Sequence, residues 1–180
     1  VIEEYMADSR ARLSCLQLLC GAVERTRSLP AHDSNSLANM ITLLSSKMFK
    51  KADQVRALCS CTSLYWSTQV SDAEGPLRDG KKVHSVLAKA LKIAAQCMEP
   101  LVQVQLFVQL ITVLHAFYED GCEEITEDLM SEVVSRARDC SAQLERSAES
   151  DAVERHLGAT IAEIKRSSAR EGKLAEKLHI

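Results

Sequence analysis

Glycine, proline and aromatic residues are scarce in this 180-residue chain, which holds six, three and seven of them respectively. So few turn formers and aromatics argue against a sheet-rich fold, and the abundance of Leu, Ala, Ser, Glu, Lys and Arg argues for helices. No unbroken apolar run reaches the roughly 18 residues expected of a membrane-crossing helix, and no signal peptide opens the chain, so a soluble intracellular protein is expected. Neither charge sign dominates. With 22 Lys and Arg against 25 Asp and Glu, the net charge of -3 supplies no overall attraction to nucleic acid or anionic membrane. Cysteine is present seven times, an odd number. Cys15, Cys20, Cys59, Cys61, Cys97 and Cys140 fall within helical patterns rather than a spaced loop framework, which reads as reduced, small core residues. The chain begins at Val1, in what reads as the tail of a helix, and is therefore taken as a fragment of something longer.

What is present is helical periodicity, and the run from Lys89 to Tyr118 carries most of it. An amphipathic segment breaks at Glu99-Pro100, and the next segment is apolar nearly all round. Leu101, Val104, Phe107, Val108, Ile111 and Leu114 form one stripe, and Leu106, Leu110, Val113 and Phe117 form a second. A helix with two apolar stripes must be covered on two sides. That requirement points to stacked helical hairpins, a scaffold rather than a pocket enzyme.

The remaining helices follow from caps and stripes. The first starts at an Asp8 or Ser9 cap, buries Leu13, Leu16, Leu19, Cys20 and Val23, and stops before Pro30. After a loop over Ser28 to Asp33, the second has a Ser34 or Ser36 cap, a stripe of Leu37, Met40, Ile41, Leu44 and Met48, and a basic end at Lys47, Lys50 and Lys51. The third carries Val55, Leu58, Cys59, Thr62, Tyr65 and Trp66, and the polar stretch from Ser67 to Gly80 reads as the longest loop. The fourth uses Val83, Val86, Leu87, Ala90, Leu91 and Ala94. The fifth has Glu99 as cap with Pro100 at its first position and ends at Gly121. The sixth is capped by Thr126 with an Ile125 and Met130 staple, and the seventh by an Asp151 and Glu154 capping box. Every second helix start recurs at roughly 45 residues, inside the range of HEAT and armadillo repeats. The expected fold is therefore all-α: a right-handed α-solenoid of HEAT-like hairpins with about seven helices over residues 1–166, then a frayed or disordered tail over 167–180.

Enzyme signatures fail on context. Gly75 to Lys82 has the spacing of a phosphate-binding loop, but the preceding segment reads as helix and Lys82 stands where Ser or Thr should hold magnesium. Cys59 and Cys61 are too close for a zinc knuckle and lack a second pair. His84, His115 and His156 lie on separate helices, and no nucleophile or metal motif frames them, so a hydrolase rests only on scattered Cys and His. No catalytic residue, metal or cofactor is expected. The lysine cluster has two readings: complementation of a helix C-terminal dipole, or contact with phosphates or an acidic surface. Tyr65 and Trp66 are either core or aromatic anchors for a partner.

Four segments carry a family resemblance: KKADQ at 50–54, CTSLYW at 61–66, GKKV at 80–83, and above all ALKIAAQCMEPLVQVQLF at 90–107. Together, from about Tyr5 to Arg166, they resemble the C-terminal α-solenoid of the vacuolar protein sorting-associated protein 35 family, the large subunit of retromer. Ser63 departs from the His of animal members, and the stretch after Ser167 does not match. The resemblance implies a non-enzymatic scaffold, cytoplasmic and peripheral on endosomes, for transport toward the Golgi or cell surface. It implies a groove for a metallophosphoesterase-fold subunit, vacuolar protein sorting-associated protein 29, for which Ser63, Tyr65, Trp66, Phe117 and Tyr118 are the candidate contacts. It also implies a homodimer in which Glu3 and Glu4 face Lys47, Lys50 and Lys51. The alternative is a helical-repeat module that takes nucleic acid or anionic lipid on the same lysines.

Overall fold

The computed structural model describes residues 8–26, 29–71 and 75–171. Among them are seven α-helices: α1 (Ser9–Arg25), α2 (Ala31–Ser46), α3 (Lys51–Cys61), α4 (Gly80–Ala94), α5 (Pro100–Glu119), α6 (Glu127–Ala142) and α7 (Ala148–Glu171). A 3-10 turn (Thr62–Tyr65) follows α3, and a two-stranded antiparallel hairpin, β1 (Trp66–Ser71) and β2 (Gly75–Arg78), precedes α4. The protein is therefore all-α apart from one small hairpin. It divides into two compact units, residues 1–93 and 94–180.

In the first unit α1, α2 and α3 pack against one another and all three touch the 3-10 turn. Asp8 caps α1 by accepting the Arg10 N–H at 3.1 Å. Leu16 and Cys20 of α1 are fully buried, while Leu13, Leu19 and Val23 are half-buried. Pro30 occupies the N-cap of α2, so this helix starts at Ala31, ahead of the expected Ser34 or Ser36 cap. Pro is well placed there because its missing N–H would have had no helical partner. Its inward stripe also differs from expectation. Ala38, Ile41, Ser45 and Met48 are buried, whereas Met40 is 58% exposed, so Met40 lies on the outer face. Alanine and serine hold the inward positions because neighbouring helices approach closely there.

Val55, Ala57, Leu58 and Cys61 bring the first unit's core together on α3. Asp53 is also buried, and its carboxylate accepts from Ser9 Oγ of α1 and from Arg56 at 3.3 Å. A buried carboxylate needs such partners, and its place in the first turn of α3 adds the favourable end of the helix dipole. Cys61 ends α3, and Thr62 closes the 3-10 turn by donating to Cys59 O at 2.6 Å.

The stretch expected as a loop over Ser67 to Gly80 is a hairpin instead. Trp66 stands opposite Arg78, Val70 opposite Pro76 and Ser71 opposite Gly75, with an irregularity between Trp66 and Val70. Pro76 is tolerated because a two-stranded ribbon leaves each strand an edge without a ladder partner. Asp79 then starts α4: its N–H donates to Tyr65 O at 2.9 Å, and its side chain accepts the Lys82 N–H at 3.0 Å. The six apolar residues expected on α4 are all buried, Val83, Val86, Leu87, Ala90, Leu91 and Ala94.

In the second unit α5 packs against α6 and α7. Both of its expected stripes are inside: Val104, Phe107, Val108, Ile111 and Leu114 on one, Leu106, Leu110 and Phe117 on the other. Leu101 and Val113 are half-buried. By length and composition α5 is long and apolar enough to cross a membrane, which corrects the expectation that no segment qualifies. Four polar residues inside it, Gln103, Gln105, Gln109 and Thr112, hide that character from a search for unbroken apolar runs. Glu99 is its N-cap and Pro100 its first residue, as expected. At the other end Asp120 is the C-cap and Gly121 adopts φ +81°. Cys122 N–H reaches Phe117 O at 2.9 Å and Gly121 N–H reaches Tyr118 O at 3.1 Å, the double closure of a Schellman motif, with Cys122 and Phe117 both buried.

Thr126 caps α6 by accepting Leu129 N–H at 3.3 Å, and Ile125 and Met130 are both buried as a staple requires. The cap of α7 is not Asp151 with Glu154. Ser147 Oγ accepts Ser150 N–H at 3.0 Å while Ser150 Oγ accepts Ser147 N–H at 2.8 Å, a reciprocal box one turn earlier. Val153, Leu157, Ile161 and Ile164 carry the stripe of α7, and the helix continues past Arg166 to Glu171. The expected tail beyond that point, 172–180, lies outside the described residues.

Two glycines separate backbone strain from packing. A Cβ at Gly121 or Gly158 would meet nothing within 4 Å. Gly121→Ala should nevertheless cost about 1–2 kcal/mol, because the left-handed conformation crowds any Cβ. Gly158→Ala, in the body of α7, should instead add about 0.5–1 kcal/mol through helix propensity. Thermal or urea denaturation of the two variants should show shifts of opposite sign; shifts of the same sign would contradict the Schellman assignment.

Candidate interaction surfaces

Ser63, Tyr65 and Trp66 come together at the end of α3. Ser63 is half-buried and donates to Ser60 O at 3.1 Å. Tyr65 is only 3% exposed. Its hydroxyl donates to Asn39 Oδ1 at 3.2 Å and sits 3.0 Å from Thr42 Oγ1, so the ring is a core member with a polar tip anchored on α2. Burial pushes the Tyr65 phenol above its ordinary range, against the Thr42 hydrogen bond that lowers it. Lys82 lies over the Tyr65 ring, 5.8 Å from its centroid, and also donates to Asn39 Oδ1 at 3.2 Å. Trp66 is half-buried, with the Arg78 guanidinium 5.1 Å from its ring centroid across the first rung of the hairpin. Arg78 over Trp66 and Lys82 over Tyr65 thus make two neighbouring cation–π pairs.

Phe117 and Tyr118 sit at the C-terminus of α5. Phe117 is buried within the Schellman motif. Tyr118 is half-buried, and its hydroxyl donates to Glu127 Oε1 at 2.9 Å, joining the end of α5 to the start of α6. Of the five aromatic and polar contacts expected from the sequence, Tyr65 and Phe117 occupy core positions, and Ser63, Trp66 and Tyr118 reach the surface.

The lysines lie along the turn from α2 to α3. Lys47 is the C-cap of α2, but Lys50 is the N-cap of α3 and Lys51 its first residue. All three are exposed. The helix dipole therefore accounts for Lys47 alone, since a cation at a helix N-terminus is disfavoured by about 0.3–1 kcal/mol. This corrects the reading of one basic helix end. Between them projects Phe49, 94% exposed, and on α2 Met40 and Leu43 are 58% and 56% exposed. The sequence reading passed over Phe49. Its signal was adjacency to Met48: a turn that buries Met48 sends its neighbour the opposite way. Glu3 and Glu4 lie outside the described residues.

The enzyme-like features do not assemble. Among the described residues no group of three or more His, Cys, Asp or Glu stands close enough to hold a metal ion. The phosphate-loop-like string follows strand β1 rather than a helix, but its Gly75 to Arg78 portion is itself strand β2, running through Asp79 into α4, where a phosphate-binding loop would need irregular backbone. His84, His115 and His156 lie on α4, α5 and α7. His115 is buried, with Nδ1 3.6 Å from Glu119 Oε2, and Glu119 accepts a hydrogen bond from Ser167 of α7.

Tyr65→Phe removes the hydroxyl that ties the 3-10 turn to α2. It should cost about 1 kcal/mol. The raised phenol also sets a sign with pH. Its neutral form is favoured in the fold, so its contribution is complete below the unfolded value and is lost as pH rises through the folded one. Urea denaturation should therefore show an alkaline loss of stability that is smaller in Tyr65→Phe than in the unaltered protein.

Comparison with known proteins places the chain in a family. A family model described as vacuolar protein sorting-associated protein 35 matches residues 1–139. The fission yeast Schizosaccharomyces pombe protein of that name is 31% identical over 125 residues, covering 69% of this chain and 15% of its own. Vacuolar protein sorting-associated protein 35B of Arabidopsis thaliana is 34% identical over 131 residues, covering 69% and 16%. Its relative 35C is 26% identical over 156 residues, covering 82% and 19%. The chain thus spans less than a fifth of the length of these relatives, and it belongs to the vacuolar protein sorting-associated protein 35 family.

Proposed function

We propose that this chain is a non-enzymatic scaffold segment of the retromer coat, working in vacuolar and endosomal protein sorting from the cytoplasmic side of the endosome membrane. Membership of the family carries this reading, since its named relatives are sorting proteins. A helical architecture whose ordered polar groups serve caps and core fits a structural role. In this reading the helices bind the metallophosphoesterase-fold subunit, vacuolar protein sorting-associated protein 29, and the coat directs cargo toward the Golgi or the cell surface.

Trp66, Ser63 and Tyr118 are then the side chains available to that partner, with Tyr65 and Phe117 supporting them from beneath. An interface for a folded subunit buries on the order of 1,600 Å², and a few aromatic anchors carry most of its energy. A pull-down of the protein against the phosphoesterase-fold subunit tests this. Trp66→Ala should weaken binding by about tenfold or more, a hot-spot-sized loss. No binding by the unaltered protein at micromolar concentration would remove the proposal.

Self-association through the α2–α3 turn is the second part of the reading. Lys50 and Lys51 stand where helix stability disfavours them, and Phe49 supplies an apolar centre beside them. An acidic partner surface, with Glu3 and Glu4 as its candidates, would complement this exposed basic turn and cover Phe49. Lys50→Glu with Lys51→Glu should shift sedimentation from dimer to monomer while leaving the melting temperature within about 1 °C or raising it, as removal of N-terminal cations predicts. An unaltered protein that sediments only as monomer would end this idea. The lysines could instead meet nucleic acid or anionic lipid; steep salt dependence in gel shift or liposome co-sedimentation, lost in the same double variant, would favour that alternative.

A further inference from the structure

All seven cysteines are reduced thiols, and two of them meet in the core of the first unit. Cys20 of α1 stands with its Sγ 3.9 Å from Sγ of Cys61, the last residue of α3, across 41 residues of sequence. Ser45 of α2 approaches the same sulfur at 3.2 Å. Cys61 is fully buried and Cys20 is 3% exposed. Three helices thus converge on two sulfurs in contact, and neither sulfur is needed for any surface discussed above.

We propose that Cys20 and Cys61 form a reversible disulfide, made by a small peroxide, that locks α1 onto α3. The roles of the two sulfurs differ. Cys61 accepts hydrogen bonds from Cys20, Ser45 and Thr42, which together draw its thiol down to about 7 despite burial, whereas Cys20 is pushed up by its hydrogen bond to Cys61 and by burial. Neighbouring Cys59 is pushed up to about 12 by burial. Cys61, which receives the Cys20 thiol and lies 3.2 Å from the Ser45 hydroxyl, is placed as the attacking sulfur and Cys20 as the resolving one.

In the first step the Cys61 thiolate attacks one peroxide oxygen and the O–O bond breaks. Hydroxide leaves, takes up a proton as water, and Cys61 becomes a sulfenic acid. In the second step the Cys20 sulfur attacks the Cys61 sulfur, the S–S bond forms, and the S–O bond breaks. The departing hydroxide carries off the Cys20 proton as a second water. Two thiols lose two electrons and two protons, and hydrogen peroxide becomes two waters. A thiol reductant reverses the bond by exchange.

Access follows from how α1 is held. It buries only Leu16 and Cys20 fully, with Leu13, Leu19 and Val23 half-buried, so opening α1 exposes few fully buried side chains. Sparse burial is the mark of a segment that opens locally at low cost. Oxidised, α1 is tied across 41 residues to the buried α3.

Peroxide treatment of the purified protein near neutral pH, followed by alkylation and non-reducing peptide mass spectrometry, tests this. The peptides containing Cys20 and Cys61 should appear joined and lighter by two hydrogens, and should separate with dithiothreitol. The oxidised protein should melt at a higher temperature than the reduced one. Cys59→Ser should leave the cross-link intact. Recovery of both thiols alkylated or singly oxidised, at every peroxide dose that preserves the circular dichroism spectrum, would overturn the proposal. So would a Cys59 to Cys61 bond, or an oxidised form that melts no higher than the reduced.

Discussion

Burial of α5 on more than one side is the constraint on which the second unit depends. A helix touching one neighbour hides a single stripe, and α5 carries two, so α6 and α7 must both pack on it before its apolar surface leaves water. Its ends are correspondingly well fastened. Pro100 and Glu99 start it, and the Gly121 Schellman closure with the Tyr118 to Glu127 bond turns the chain directly into α6. The turn chemistry thus serves the packing, because a two-sided helix tolerates little freedom in the direction its neighbours arrive.

The first unit is built differently. Its first three helices close around small and polar residues, Ala38, Ala57, Ser45, Thr62, Asp53 and the Cys20 and Cys61 sulfurs, beside Val55 and Leu58. Small side chains let helices approach, and the approach demands that each polar atom find a partner across the interface. Ser9 with Asp53, Tyr65 with Asn39 and Thr42, and Ser45 with Cys61 meet that demand. The same closeness that satisfies these groups places two thiols in contact, so the redox chemistry assigned to them is a consequence of how the core is packed.

The proposed function places binding on surfaces rather than in a cleft. The turn from α2 to α3 places Lys50 and Lys51 at the start of a helix, where the dipole disfavours cations, beside the exposed Phe49. The proposed self-association would give these positions a role. Trp66 and Arg78 form a second such place, an aromatic face kept at the surface by a stacked cation.

Much of this was legible in the chain because helices announce themselves by period. The stripes of α4, α5 and α7, the Asp8 and Thr126 caps, Pro100 and Gly121 all depend on contacts within a few residues, and their pattern survives in the sequence. The misreadings share one cause. Met40, the α7 cap, the hairpin over Trp66 to Arg78 and the side taken by Lys50 each depend on which neighbour arrives, or on a one-turn choice between equivalent polar residues. Scarcity of glycine, proline and aromatics with a 3.6-residue apolar period therefore determined the class of fold and its helices. Only tertiary packing decided which apolar residues stayed outside, which helix end received the lysines, and that sulfurs 41 residues apart would touch, because those outcomes rest on contacts between helices that no local spacing encodes.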